Sequence, residues 1–468
     1  MSARTKLGIL VLFALALTIA LNEFNLSFLK PNYPYKDGLI TTADEYSYFS
    51  PAEQFLKTGE WNVNSTGEKA YIRTPGYGIL YFIALALGGS QAFLVLKCMQ
   101  LLLFAGSIVL FFKVLRLFAK EKISLIATSI YALLPCFSGF VYYTLSESVL
   151  PFFVLGWIFA LLTRTDRTQW LMLLFSTAAL VMIRPQLIVF PLVFLGYFAI
   201  KREKMAFALL LGLLPFAAWQ LRTMTILGEW PGMHPIYSTS NNSLYRPPHQ
   251  EMTDLFRIWE YRGDVFHGNM GLLSGDTSRL AREKVLQTVP KGYQKDIEPL
   301  LQEFQQFRWR QQSNAGKTLH GFLPGEKRLI QNIRQVREKL SAAHKVDNLI
   351  LTPLQSFKQL VGTSMMNLYV FQAPYRQSWA VIALKVMSLG LILLGLLSGI
   401  WVLVRSKDAR LKLLALAVFA SLFYLSFFQR MNEERYVYPY LPMLLLFVVL
   451  SVEKWKGLLR EVGAVRKA

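Results

Sequence analysis

Short basic clusters cut this chain into apolar runs, several short and several that approach or exceed bilayer length, and no other feature restricts its fold as much. Ten runs cover about residues 7–29, 91–113, 123–143, 148–163, 169–183, 186–200, 205–222, 379–404, 411–428 and 436–452. A helix needs about 20 apolar residues to cross a bilayer core. Within that core each backbone polar group must be satisfied inside the helix itself. Between the runs stand Arg4/Lys6, RLFAKEK (116–122), RTDR (164–167), KREK (201–204), RSKDARLK (405–412) and the tail EKWKGLLREVGAVRKA (453–468). If all ten runs cross, these clusters share one side, which an excess of Lys and Arg marks as cytoplasmic. The loops around TLSE (144–147) and IRPQ (183–186) then lie opposite and carry little positive charge. The expected fold is an all-α polytopic membrane protein with about ten transmembrane helices and both termini cytoplasmic.

Composition agrees. Hydrophobic residues make up 53% of the 468, and the mean hydropathy of +0.35 is too high for a protein that must cover itself with polar atoms. The formal charge of +21 punctuates the apolar runs instead of concentrating in a soluble domain, so nucleic acid is not an expected partner. Cys98 and Cys136 fall inside apolar runs and read as small buried hydrophobes. The five histidines form no close pair, which argues against a dedicated zinc site. The first run could be a signal peptide, being short and flanked by Arg4 and Lys6. It lacks a small-x-small cleavage site, so a retained helix is expected.

Three parts follow: an N-terminal transmembrane module (1–222) with an outer loop at 30–90, an extracytoplasmic helical region (223–378), and C-terminal helices with a cytoplasmic tail (379–468). The middle region begins with the Pro/Gly-rich GEWPGMHP (228–235) and continues into charged helical segments at 283–312. In EKRLIQNIRQVREKLSAAHKV (326–346), Leu329, Ile333, Val336 and Leu340 share one helical face. There is no internal repeat, which speaks against transporter folds built from duplicated halves.

Few ionisable residues touch apolar sequence on the outer side. In ITTADEYSYFSPAEQF (40–55), a helix would place Asp44, Tyr48 and Ala52 on one face and turn Glu45 about 100° away. A carboxylate facing inward there is partly desolvated, and its pKa is expected to rise, improving it as a proton acceptor. The alternative is a solvated loop acid. Arg73 precedes the turn signal Pro75-Gly76, and Glu147, Arg184, Arg222 and the pair Arg435-Tyr436 sit at span ends. Charges so placed are costly unless they pair or line a hydrated cavity. Anchoring at the headgroups by snorkelling is the plainer reading for the arginines. Guanidiniums at the level of an acid also suit an anionic lipid headgroup, because Arg binds phosphate bidentately.

The order of these pieces resembles the GT-C membrane glycosyltransferases, closest to the bacterial protein-O-mannosyltransferase-like (family 39 type) and aminoarabinose-transferase-like branches. The matching residues are Asp44-Glu45-Tyr48, Arg73-Thr74-Pro75-Gly76-Tyr77, Ser146-Glu147, Arg184-Pro185, Trp219-Gln220-Leu221-Arg222 and Arg435-Tyr436-Pro439. Residues 240–375 match no motif. The resemblance implies transfer of a sugar from a polyprenyl-phosphate donor to a hydroxyl acceptor at the extracytoplasmic face. It implies Asp44 as the base, Glu45 as a supporting acid, and Arg73, Tyr77, Glu147, Arg184, Arg222, Arg435 and Tyr436 around the donor phosphate and substrate. No cofactor is required; a divalent metal is compatible but not demanded. A polysaccharide ligase or polymerase using lipid-linked glycans is the nearest rival, followed by a transporter and a non-enzymatic scaffold. The tripeptides at Asn64 and Asn241-Asn242 fit glycosylation sequons, and the C-terminal VRKA carries no retention signal. The expected location is a bacterial inner membrane.

Overall fold

Most of the described residues are helical in the computed structural model. It describes residues 1–29, 35–41, 44–61, 70–71, 73–163, 166–227, 237–238, 246–262, 268–269, 271–273, 279–313, 323–362, 379–430 and 434–465. The piece at 228–235 and both sequons lie outside the described residues, as does the end of the C-terminal tail. Helix α1 (Ala3–Leu29) leads to a short antiparallel ribbon, Tyr35–Lys36 against Leu39–Ile40, and then to α2 (Glu45–Thr58). Next come α3 (Gly76–Gly88), α4 (Ala92–Arg116), α5 (Glu121–Leu133), α6 (Leu150–Leu162), α7 (Arg167–Ile183), α8 (Val189–Ile200) and α9 (Met205–Leu227). The intervening region holds α10 (Pro247–Phe256), α11 (Arg279–Thr288), α12 (Gln294–Ser313), α13 (Glu326–Ala343) and α14 (Thr352–Gly362). The chain closes with α15 (Trp379–Arg405), α16 (Ala409–Phe423) and α17 (Leu441–Val465).

Among the described residues six helical stretches are long and apolar enough to cross a membrane, seven when one bent pair counts as a span. Leu150–Leu162, Arg167–Ile183 and Pro185–Ile200 are apolar but shorter. Two stretches differ from the sequence reading. The run at 123–143 is not one straight helix: it bends by 59° between Glu121–Leu133 and Pro135–Tyr142, because proline cannot donate to the preceding turn. Within the stretch 30–90, read as loop, Gly76–Gly88 is an apolar helix that folds back against α4. In the count of six it runs on into α4 as one stretch, Gly76–Arg116, with Gly89, at φ 53°, at the turn between them.

The membrane-embedded core joins α1 through α9 to α15, α16 and α17. Between α15 and α17 the backbones approach closely: a Cβ on Gly395 would lie 2.5 Å from Leu444 Cβ. Small residues at such crossings are the usual basis of helix packing in lipid. Leu12, Leu102, Phe175 and Leu397 are exposed on the outer surface, where acyl chains would cover them. A separate core in the region after α9 is built from Met252, Phe256, Ile297, Phe304, Leu329 and Ile333 with their neighbours. Leu329, Ile333 and Leu340 are buried there and Val336 packs against them, so the amphipathic face of α13 meets α10 and α12. Helix α14 ties the two parts together, burying Leu360 and Val361 in the membrane core.

Candidate functional site

Asp44, Arg73, Glu147, Arg184 and Arg435 meet in one place. Asp44 stands at the start of α2, but its side chain does not cap that helix. Arg73 Nη2 instead donates to Oδ1 at 2.5 Å and Arg435 Nη1 to Oδ2 at 2.9 Å. One turn along α2, the Tyr48 hydroxyl accepts from Arg73 Nη1 at 2.7 Å, and the guanidinium lies 4.8 Å from the Tyr48 ring centroid. Two guanidiniums on one carboxylate leave a net positive charge on this trio.

A second, neutral pair adjoins it. Arg184 Nη1 lies 2.8 Å from Glu147 Oε1, both side chains being buried, and Ser146 Oγ donates to Glu147 Oε2 at 3.1 Å. The Tyr436 ring links pair and trio, with the Arg184 guanidinium 4.9 Å and that of Arg435 5.6 Å from its centroid. Tyr77 is buried edge-on to Tyr48, with ring centroids 5.2 Å apart. Arg222 belongs to a different patch: it donates to the Trp61 carbonyl at 2.9 Å and lies over the Trp219 ring at 4.7 Å.

Electrostatics correct one expectation. Burial does push the Asp44 carboxyl up, but Arg73 and Arg435 together outweigh it and hold the group below its ordinary value. Asp44 is therefore ionised and well paired, a weaker base than desolvation alone would make it. Glu147 follows the same pattern, burial opposed and overcome by Arg184 and then Arg435. Arg73 is pushed up: burial acts against its charge, yet Tyr48 and Asp44 prevail. Glu45 goes the other way. Burial raises its pKa, with the hydrogen bond from Thr144 Oγ1 at 3.0 Å opposing.

Backbone contacts explain why these segments converge. Ile40 bridges Tyr143, and the Thr144 amide donates to the Ile40 carbonyl at 3.0 Å, which docks the Asp44 segment on the Glu147 segment. Gln100, buried in α4, donates to the carbonyls of Val141 at 2.8 Å and Tyr143 at 3.0 Å. Tyr438 donates to the Phe137 carbonyl at 2.7 Å, fixing the Arg435 segment. The Pro-Gly-Tyr-Gly run has a steric role. A Cβ on Gly76 would lie 2.5 Å from the Ile183 nitrogen, and one on Gly78 would lie 2.6 Å from the Tyr48 carbonyl oxygen. These glycines let α3 touch both the segment ending at Arg184 and the face of α2 below Asp44. Sequence reasoning missed Gln100, Thr144 and Gly78; a lone amide inside the run CMQLLLF was the available signal for the first. Among the described residues no group of three or more His, Cys, Asp or Glu could hold a metal ion.

Fold and site together define a multi-pass membrane protein with a buried ionic cluster where several apolar helices end. No protein-family model matches this chain, and no curated protein is significantly similar to it. Among solved structures it is similar to the crystal structure of ArnT from Cupriavidus metallidurans in the apo state. The two share 13% identity over 87% of this chain and 73% of that one, with a TM-score of 0.32.

Proposed function

We propose that the protein is a membrane glycosyltransferase that moves a sugar from a polyprenyl-phosphate donor to a hydroxyl acceptor at the extracytoplasmic face, of a bacterial inner membrane on the sequence reading. The observation that carries this reading is the carboxylate of Asp44 held between Arg73 and Arg435, residues brought together from distant parts of the chain. The motif resemblance supports it independently.

In this mechanism the acceptor oxygen bonds to the anomeric carbon as the bond from that carbon to the phosphate oxygen breaks. The electron pair leaves with the polyprenyl phosphate, and the acceptor proton passes to a carboxylate. The leaving phosphate gains negative charge, which positioned guanidiniums in a low-dielectric site stabilise. Arg73 and Arg435 are assigned to that phosphate, with the net positive trio as its electrostatic complement. Their transfer from Asp44 to the phosphate removes what depresses the Asp44 pKa, leaving burial to raise it. Asp44 thus becomes a competent base when the donor is in place. Glu147 holds Arg184, and Tyr436 lies between the two ion pairs. Glu45 is a supporting acid, Tyr77 packs behind Tyr48, and Arg222 is a second-patch candidate for the lipid or acceptor. The donor lipid lies in the bilayer.

The test supplies membrane vesicles that hold the protein together with envelope glycolipids, polysaccharides and proteins as acceptors, adds labelled polyprenyl-phosphate sugar and follows the label. Movement to glycolipid, polysaccharide or protein supports transfer and names the acceptor class; label that only changes leaflet, or does not move, contradicts it.

A further inference from the structure

Away from the ionic cluster, a cavity of about 360 Å³ opens where the α10 end, the loop before α12 and the turn after α13 meet. Trp259, Tyr293, His344, Asp347, Thr352 and Gln355 line it. Trp259 and Tyr293 stand edge to face at 5.3 Å between centroids, and Tyr293 meets the His344 ring at 4.2 Å. The Tyr293 hydroxyl donates to Asp347 Oδ2 at 3.3 Å, and His344 Nδ1 lies 3.7 Å from the same oxygen. The Asp347 side chain is still 45% exposed, so it has capacity to accept further hydrogen bonds. Thr352 is already committed, donating to the Ile258 carbonyl at 2.8 Å, and acts as wall.

We infer that this cavity is a glycan-binding site for a lipid-anchored acceptor. Aromatic rings beside a carboxylate and an amide suit a pyranose, which offers a C–H face for the rings and hydroxyls for the polar groups; small-ligand pockets commonly combine these elements at this size. Asp347 disfavours a phosphate or other anion. Beside Asp347 and His344, the polar lining groups Tyr293, Thr352 and Gln355 are uncharged, as a hydroxyl-rich ligand requires. A neutral, hydroxyl-rich group fits both constraints.

The lipid half of the assignment comes from the adjoining surface. Val346, Leu349, Ile350, Leu351 and Leu354 are 59%, 60%, 49%, 46% and 49% exposed, and Leu351 also lines the cavity. The helix that follows, α14, buries Leu360 and Val361 in the membrane core, so this apolar stripe lies at the bilayer surface. A sugar head in the cavity would have its chains laid along the stripe. Helix α14 also packs on Glu434–Tyr440, the segment carrying Arg435. Naming the occupant as the acceptor rests on the proposed sugar transfer; the binding site itself does not.

The experiment reads occupancy, not transfer, so the two can fail separately. Full-length protein in lipid nanodiscs is exposed to a photoreactive dodecyl maltoside and to the same dodecyl chain bearing an oligo-ethylene-glycol head. Captured positions are mapped by peptide mass spectrometry. The maltoside is expected to label residues 290–293 and 344–355 well above the sugar-free probe. Asp347→Asn should lower that capture about tenfold, the scale of a hydrogen bond to a charged group. Gln355→Ala, an exposed rim substitution that does not threaten folding, should lower it in the same direction. Equal labelling by both probes, or capture unchanged in both variants, overturns the inference. So does preferential capture of a dodecyl trimethylammonium probe.

Discussion

In the proposed reaction Asp44 is the base, and its surroundings set how it can act. Ion pairing to Arg73 and Arg435 depresses its pKa, so its contribution to stability is present above the ordinary carboxylate value of about 3.9 and is lost as pH falls through the lower folded value. Removing one guanidinium should act on the donor. Arg435→Ala is expected to raise the donor KM about tenfold or more in a steady-state transfer assay, as for loss of a charge-assisted phosphate contact. Unaltered donor dependence would show Arg435 to be an interface anchor. Glu147→Gln differs in kind, because it strands the buried Arg184 without its counter-charge. The expected cost is about 3–5 kcal/mol, visible as a lowered unfolding midpoint in detergent. At this scale the sequence was informative about identity: ionisable residues at span ends are few, and six of those singled out, Asp44, Arg73, Glu147, Arg184, Arg435 and Tyr436, do meet. Pairing was not legible. Asp44 and Arg435 are 391 positions apart, and only the fold shows that two arginines share the aspartate while Arg222 turns to Trp61.

Elements place these residues, and two make testable demands. The first turn of α3 touches the backbone before Arg184, so Gly76→Ala puts a methyl against main-chain atoms that have no flexible end to yield. Overpacking of this kind costs about 1–3 kcal/mol. Separation of Arg73 from Asp44 should accompany it, seen as lost transfer together with a lowered melting temperature; wild-type values for both would remove the steric role. In the helical insertion, His249 of α10 is buried against Phe304, beside Gln311, Arg308 and Arg246. Burial, and then Arg308, push its pKa down to about 3. A depressed histidine pKa gives stability that is present above the unfolded value of about 6.5 and lost as pH falls from there toward the folded value. Protection factors for hydrogen exchange at α10 and α12 should therefore fall progressively below about pH 6, and His249→Asn should flatten that dependence. Helix α13 was readable because its apolar face repeats at helical spacing. The bend at Pro135 and the folded-back α3 were not: a proline inside a run and a 13-residue apolar stretch each fit a loop boundary or a span end equally well.

At the scale of the whole molecule, the membrane class followed from the apolar runs, which no soluble fold could bury. Of the extra core after α9 only the apolar face of α13 was legible; the partners of that face and the cavity beside α14 come from contacts between segments whose sequences match no motif. The molecule thus combines an embedded helical body, an ionic cluster where its spans end, and a helical cap joined to that body by α14. The measurement that reaches furthest compares sugar transfer from labelled polyprenyl phosphate by wild-type and Asp44→Asn protein in vesicles at equal membrane incorporation. Transfer by Asp44→Asn is expected to fall about 100-fold or more, the scale of a removed general base. A rate near wild type would contradict that role.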